Sequence, residues 1–102
     1  MTYVLLWSFE VEPARAAAFE AAYAADGAWA GLFARGDGFL GTTLLKPAAG
    51  GRRYLTIDRW SSAAAFAAFK RRFGEEYAAL DREFDGLALE ETPIGAFEEA
   101  AT

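Results

Sequence analysis

The stretch RYLTIDRWSSAAAFAAFKRRF, residues 53–73, carries two periodicities in succession. In its first eight residues Tyr54, Thr56, Asp58 and Trp60 alternate with Leu55, Ile57 and Arg59, the period of a β-strand. Ser61 or Ser62 then supplies a helix N-cap. Beyond it the period lengthens: Phe66, Phe69, Phe73, Tyr77, Leu80 and Phe84 recur at steps of three and four, one apolar stripe over about five helical turns. Gly74 marks a bend or break in that helix, and Asp85-Gly86 ends it.

Before this stretch, Phe39–Lys46 reads as a strand with Thr42 and Thr43 at its centre. Turns at Gly36-Asp37-Gly38 and Pro47–Gly51 bound it, and the second makes a hairpin with the strand at Arg53–Trp60. Tyr3–Val11 is a further strand. Tyr3, Leu5, Trp7, Phe9 and Val11 share one face; Val4, Leu6, Ser8 and Glu10 share the other. Pro13 suits the first turn of a helix that runs through Phe19, Ala22, Tyr23, Ala30 and Phe33 and is weakened at Gly27 and Gly31. After Gly86, Leu87–Phe97 is a last strand, with Pro93 confining its second half to an edge or a bulge.

The order strand, helix, strand, strand, helix, strand is the split βαβ pattern. The expected fold is α+β, ferredoxin-like βαββαβ, with a four-stranded antiparallel sheet. Residues 1–98 form one domain and 99–102 a frayed tail. Two helical layers cover one face of such a sheet. The apolar residues of the other face call for a second copy of the chain, so a homodimer is expected.

Composition narrows the chemistry. The 102 residues include no histidine and no cysteine, and neither asparagine nor glutamine occurs. Disulfides, Cys/His metal sites, histidine bases and cysteine nucleophiles are excluded. A lone Ser8 has no triad to join. The net charge of -5 argues against a nucleic-acid partner. The run Lys70, Arg71, Arg72 reads as a solvated helix face. No apolar run reaches the roughly 20 residues of a membrane span. The N-terminus lacks a basic region before its apolar stretch, so no signal peptide is expected and the location is cytoplasmic. Nine phenylalanines, four tyrosines and three tryptophans exceed what so small a core needs. Part of that area is expected to face a partner or a small hydrophobic or aromatic ligand.

The stretches Trp29-Ala30-Gly31-Leu32-Phe33, Gly38-Phe39-Leu40-Gly41-Thr42 and Tyr54-Leu55-Thr56-Ile57-Asp58-Arg59-Trp60-Ser61, followed by Phe66 and Phe69, resemble the antibiotic biosynthesis monooxygenase (ABM) family. Glu76-Tyr77-Ala78-Ala79-Leu80-Asp81 resembles a largely uncharacterised bacterial branch of it. The resemblance implies a dimeric α+β barrel, with two sheets facing each other. It also implies one of several activities, among them oxidation of aromatic polyketides by molecular oxygen without metal or flavin. The heme-degrading branch carries a tryptophan and an axial histidine where this chain has Phe69 and Ala79, and an asparagine in its first strand that has no counterpart here.

The expected function is that of a cofactor-independent monooxygenase acting on a small aromatic or quinol-type substrate. The alternatives are a non-catalytic small-molecule binder and a purely structural homodimer of the same fold. Such an oxygenase needs a base to form a carbanion or phenolate that reacts with oxygen. A desolvated carboxylate meets that need. Asp58 and Asp26 are the candidate bases. Tyr23 stands three residues from Asp26, as does Trp29, and Arg59 or Arg35 is placed to hold the developing anion. Trp7, Trp29, Trp60, Tyr77 and Phe69 are the candidate substrate walls. No metal and no cofactor is expected.

Overall fold

The computed structural model describes residues 1–100. Its elements are β1 (Tyr3–Glu10), a 3-10 turn at Pro13–Arg15, α1 (Ala16–Tyr23), α2 (Ala28–Phe33), β2 (Phe39–Leu45), β3 (Arg53–Trp60), α3 (Ala63–Arg72), α4 (Gly74–Glu83) and β4 (Glu90–Glu98). The four strands make one antiparallel sheet in the order β2-β3-β1-β4, the ferredoxin-like arrangement.

Register turns the alternation of each strand into two faces. Leu5 pairs with Asp58, Trp7 with Thr56 and Phe9 with Tyr54, while Thr42 pairs with Asp58 from the other side. These residues face the helices. Two aromatic clusters fill that side: Trp29, Leu32, Phe33, Trp60, Phe69 and Phe73 form one, and Phe9, Val11, Phe19 and Tyr54 the other. The stripe along α3 and α4 packs onto the first of them, with Phe66, Tyr77, Leu80 and Phe84 partly buried against it.

Both long helical stretches are broken where glycine weakens them. Gly27 opens α2 with extended backbone and no side-chain cap, leaving Asp26 exposed in the turn between α1 and α2. A Cβ at Gly27 would stand 2.5 Å from the Ala21 carbonyl oxygen, so the chain can double back here only without a side chain. At the second break Phe73 leaves helical geometry (φ -112°, ψ 24°) and α4 restarts at Gly74. The Ser62 hydroxyl caps α3 by accepting from the Ala65 N–H at 3.0 Å.

The last strand begins at Glu90, three residues later than its sequence suggests. Leu87 and Ala88 turn inward onto the Phe9–Phe19 cluster instead of pairing. β4 is an edge strand, and its register shifts opposite Leu6 and Trp7, at Pro93, which has no N–H to give to the ladder. Glu99, the first residue expected to fray, donates its N–H to the Thr2 carbonyl and accepts from Arg59; the end of that expected tail, residues 101–102, lies outside the described residues. Among the described residues no helix is long and apolar enough to cross a membrane.

Candidate active site

A cavity of about 330 Å3 lies between the helix-facing side of the sheet and the helices. Its size falls at the lower end for small-molecule sites. Side chains leave this space open, as a small-molecule site requires.

The sheet contributes the floor: Leu5, Trp7 and Phe9 from β1, Thr42 from β2, Thr56 and Asp58 from β3, and Glu91 from β4. The helices contribute Tyr23 from α1, Trp29 and Phe33 from α2, Phe66 and Lys70 from α3, and Tyr77 and Asp81 from α4. The walls are mostly aromatic. Trp29 meets Tyr77 edge-on at 5.0 Å between ring centroids and lies 6.2 Å from Tyr23. Lys70, Asp81 and Glu91 are exposed and mark the mouth, whereas Asp58, Thr56, Trp29 and Phe33 are buried. A second hollow of about 630 Å3 opens beside the mouth and shares Asp81 and Glu91; no aromatic ring and no buried residue lines it.

Asp58 is the buried carboxylate of the cavity, 8% exposed. The Thr42 hydroxyl donates to its Oδ1 at 2.6 Å, across the β2–β3 ladder. Burial pushes the Asp58 carboxyl up to about 6, and the Thr42 hydrogen bond opposes that rise only in part. No cation pairs with Asp58 among the described residues. It is thus a carboxylate that is ionised just above pH 6 and reluctant to stay so.

The two phenols of the cavity are held protonated. Burial raises Tyr23 first, with Glu91 adding to the effect; a contact with the Trp29 indole offsets the rise in part but falls short of hydrogen-bond geometry. Burial also raises Tyr77, reinforced by Asp81, Asp58 and Glu91. Glu91 is itself raised, by partial desolvation and then by Asp81 and Asp85, although water at the rim blunts the effect. The Trp29 indole Nε1 is buried without a hydrogen-bond partner. The site therefore offers a base at its floor, phenol and indole donors in its walls, and one ammonium at its mouth.

Of the residues singled out from sequence, the fold gathers Asp58, Tyr23, Trp7, Trp29 and Tyr77 around the cavity. Trp60 and Phe69 stand behind the wall. They are 0% and 2% exposed and pack on Phe33 at 5.9 and 5.4 Å, so they support the site and do not line it. Asp26 lies exposed in the α1–α2 turn and is absent from the lining. Arg59 is on the wrong side of the sheet. Strand alternation turns it away from Asp58, and it pairs with Glu99 at 2.8 Å and with Thr43. Arg35 sits over the Phe73 ring and near Glu76, not at the cavity. Sequence reasoning missed Thr42, Lys70, Asp81 and Glu91 as lining residues. Thr42 and Glu91 reach the site through cross-strand register, which no local pattern displays.

The comparisons with known proteins agree with this fold. The family model described as antibiotic biosynthesis monooxygenase matches residues 2–80. No curated protein matches the sequence. Among solved structures, a variant of SnoaB, a cofactor-independent oxygenase from Streptomyces nogalater, is 28% identical with a TM-score of 0.72, covering 99% of this chain and 95% of that one. A heme-degrading protein from Mycobacterium tuberculosis, in heme-free form, is 25% identical with a TM-score of 0.63, covering 100% and 98%. A structure from Bordetella bronchiseptica, described as a putative antibiotic biosynthesis monooxygenase, shares the fold at 21% identity with a TM-score of 0.74, covering 98% of each chain.

Proposed function

The chain belongs to the antibiotic biosynthesis monooxygenase family, and from that premise we propose that it is a cofactor-independent oxygenase of small fused-ring phenols, with Asp58 as its base. The observation that carries this reading is the buried Asp58 carboxyl, raised to about 6 at the floor of an aromatic cavity. A base poised near neutrality is matched to removing a phenolic proton.

For an anthrol the chemistry balances as follows. Asp58 takes the hydroxyl proton, and the negative charge spreads through the rings to the opposite carbon. That carbon gives its electrons to O2 and forms a C–O bond, leaving a peroxide anion that recovers the proton from Asp58. Loss of the remaining hydrogen from this carbon, with cleavage of the O–O bond, yields the quinone carbonyl and one water. One oxygen atom enters the product and the other leaves as water. The Trp7, Trp29 and Tyr77 rings offer faces on which the fused rings of the substrate stack.

The heme-degrading activity of one neighbour does not transfer. The chain has no histidine or cysteine to serve as an axial ligand to iron. A non-catalytic binder would use the same cavity. The two readings part on turnover: with an anthrol under air, wild type consumes oxygen and Asp58→Asn falls by about 10²–10⁴-fold, the usual worth of a positioned base. Equal rates in both proteins would discard Asp58 as the base, and tight binding without any turnover would favour the binder.

The same proposal includes a homodimer formed through the sheet face that no helix covers, and a cytoplasmic location.

A further inference from the structure

Deprotonation of a phenol inside an aromatic cavity leaves an anion that needs a counter-charge. Neither arginine suggested by the sequence reaches the site: Arg59 faces the other side of the sheet and Arg35 lies by Phe73. Lys70 is the one cation in the cavity lining among the described residues. It falls four residues after Phe66, another lining residue, so it stands at the cavity mouth, which neither Arg71 nor Arg72 lines.

Three observations describe the state of its ammonium. Its Nζ rests 3.7 Å from the centroid of the Tyr77 ring, itself a cavity wall. No carboxylate among the described residues lies within ion-pairing distance of it, although Asp81 and Glu91 share the same mouth. The Tyr77 phenol beneath it is held protonated and so does not neutralise it. A cation seated on a cavity wall without a partner is a charge available to a ligand.

Resting on the oxygenase reading above, we propose that Lys70 binds the oxyanion of the substrate and holds it while Asp58 carries the proton. The excess of carboxylates in the lining does not oppose this. Asp81 on α4 and Glu91 on β4 are exposed and screened by water. Asp58 on β3 becomes neutral when it takes the proton, so the transfer moves one negative charge from the floor to the ligand without adding another. Tyr23 on α1 and Tyr77 on α4 stay neutral and can donate hydrogen bonds to it. Lys70 then faces one net negative charge on the ligand. This assigns the substrate class as a ring system whose ionising oxygen lies between the Asp58 carboxyl on the floor and the Lys70 ammonium on the α3 side of the cavity.

The probe is 4-nitro-1-naphthol, a two-ring phenol whose phenolate absorbs visible light and which is not turned over. Its pKa is measured spectroscopically when bound to wild type, Lys70→Met and Lys70→Arg. Binding of the neutral form is followed in parallel by tryptophan quenching at low pH. The expected result is a bound pKa at least one unit higher in Lys70→Met than in wild type, restored by Lys70→Arg. Affinity for the neutral form should stay within about twofold, because Lys70 is exposed and its loss leaves the aromatic walls in place. The same bound pKa in wild type and Lys70→Met overturns the proposal, as does failure of wild type to bind the probe. A shift in this experiment without oxygen uptake from an anthrol would sink the oxygenase reading and leave the anion site standing. Uptake without a shift would do the reverse.

Discussion

Asp58 couples activity to stability through one buried charge. Its folded pKa of about 6 stands above the ordinary 3.8, so between those values the folded chain holds a proton that the unfolded chain has lost. Stability contributed by the neutral form is present below pH 4 and is lost as pH rises through 6. That rise in pKa corresponds to roughly 3 kcal/mol. Asp58→Asn removes the charge and keeps an acceptor for the Thr42 hydroxyl. It is expected to raise Tm at pH 8 by several degrees or more, since about 1 kcal/mol moves a chain of this size by roughly 4–8 °C, and to change it little at pH 4. A thermal melt at both pH values checks this; a lower Tm at pH 8 contradicts it. Activity runs in the opposite sense. The base must be ionised, so kcat/KM is expected to fall about tenfold per pH unit below 6, and a rate profile flat down to pH 5 would rule Asp58 out. The residue itself was legible in sequence because strand alternation sets it beside Thr56 and opposite Arg59. The same alternation argues against Arg59 as its partner. Lys70 was not legible, because its place in a run of three basic residues concealed that only it borders the cavity.

At the scale of elements, two glycines in neighbouring turns of chain do opposite work. At Gly27 a Cβ would stand 2.5 and 2.6 Å from the Ala21 and Ala22 carbonyl oxygens, atoms that cannot move away without unwinding α1. Gly31 lies inside α2, exposed, and a methyl group added there would meet no atom within 4 Å. Gly27→Ala is expected to destabilise by about 1–3 kcal/mol, as overpacking does. Gly31→Ala is expected to stabilise by up to about 1 kcal/mol through helix propensity. Urea titrations of both variants check the contrast, and equal effects of one sign would refute it. Composition alone could locate the weak point at residues 27–31 but not choose between the two glycines, since the clash arises from how the chain folds back. The start of β4 departs from its sequence pattern for a related reason. Leu87 and Ala88 have strand-forming neighbours, yet burial against Phe9 and Phe19 outweighs pairing. The succession of strands and helices along the chain followed directly from the pattern of periods, because hydrophobic spacing is a local property.

For the whole molecule, the remaining question is the uncovered sheet face. Leu6, Leu55 and Ile57 are half-buried there, Leu45 is 43% and Phe97 49% exposed, and Arg59 with its Glu99 and Thr43 partners lies among them. A second copy laid on this face would remove that apolar surface from water. Sedimentation at micromolar concentration is expected to give twice the 11.0 kDa chain mass, and Ile57→Lys a single chain that retains its helical signal. Wild type sedimenting as a single chain would contradict the dimer. The cavity lies on the opposite side of the sheet, between β-strands and helices of one chain, so its chemistry can be assayed whatever that result. Oxygen uptake with an anthrol under air, in chelator-treated buffer with no flavin added and alongside product analysis, tests whether the Asp58 cavity performs this oxidation. The expected outcome is one O2 consumed per quinone formed, one oxygen atom of it in the product, at a rate that Asp58→Asn lowers at least a hundredfold toward the buffer rate. Wild-type protein that oxidises the anthrol no faster than buffer, or no faster than Asp58→Asn, would contradict it.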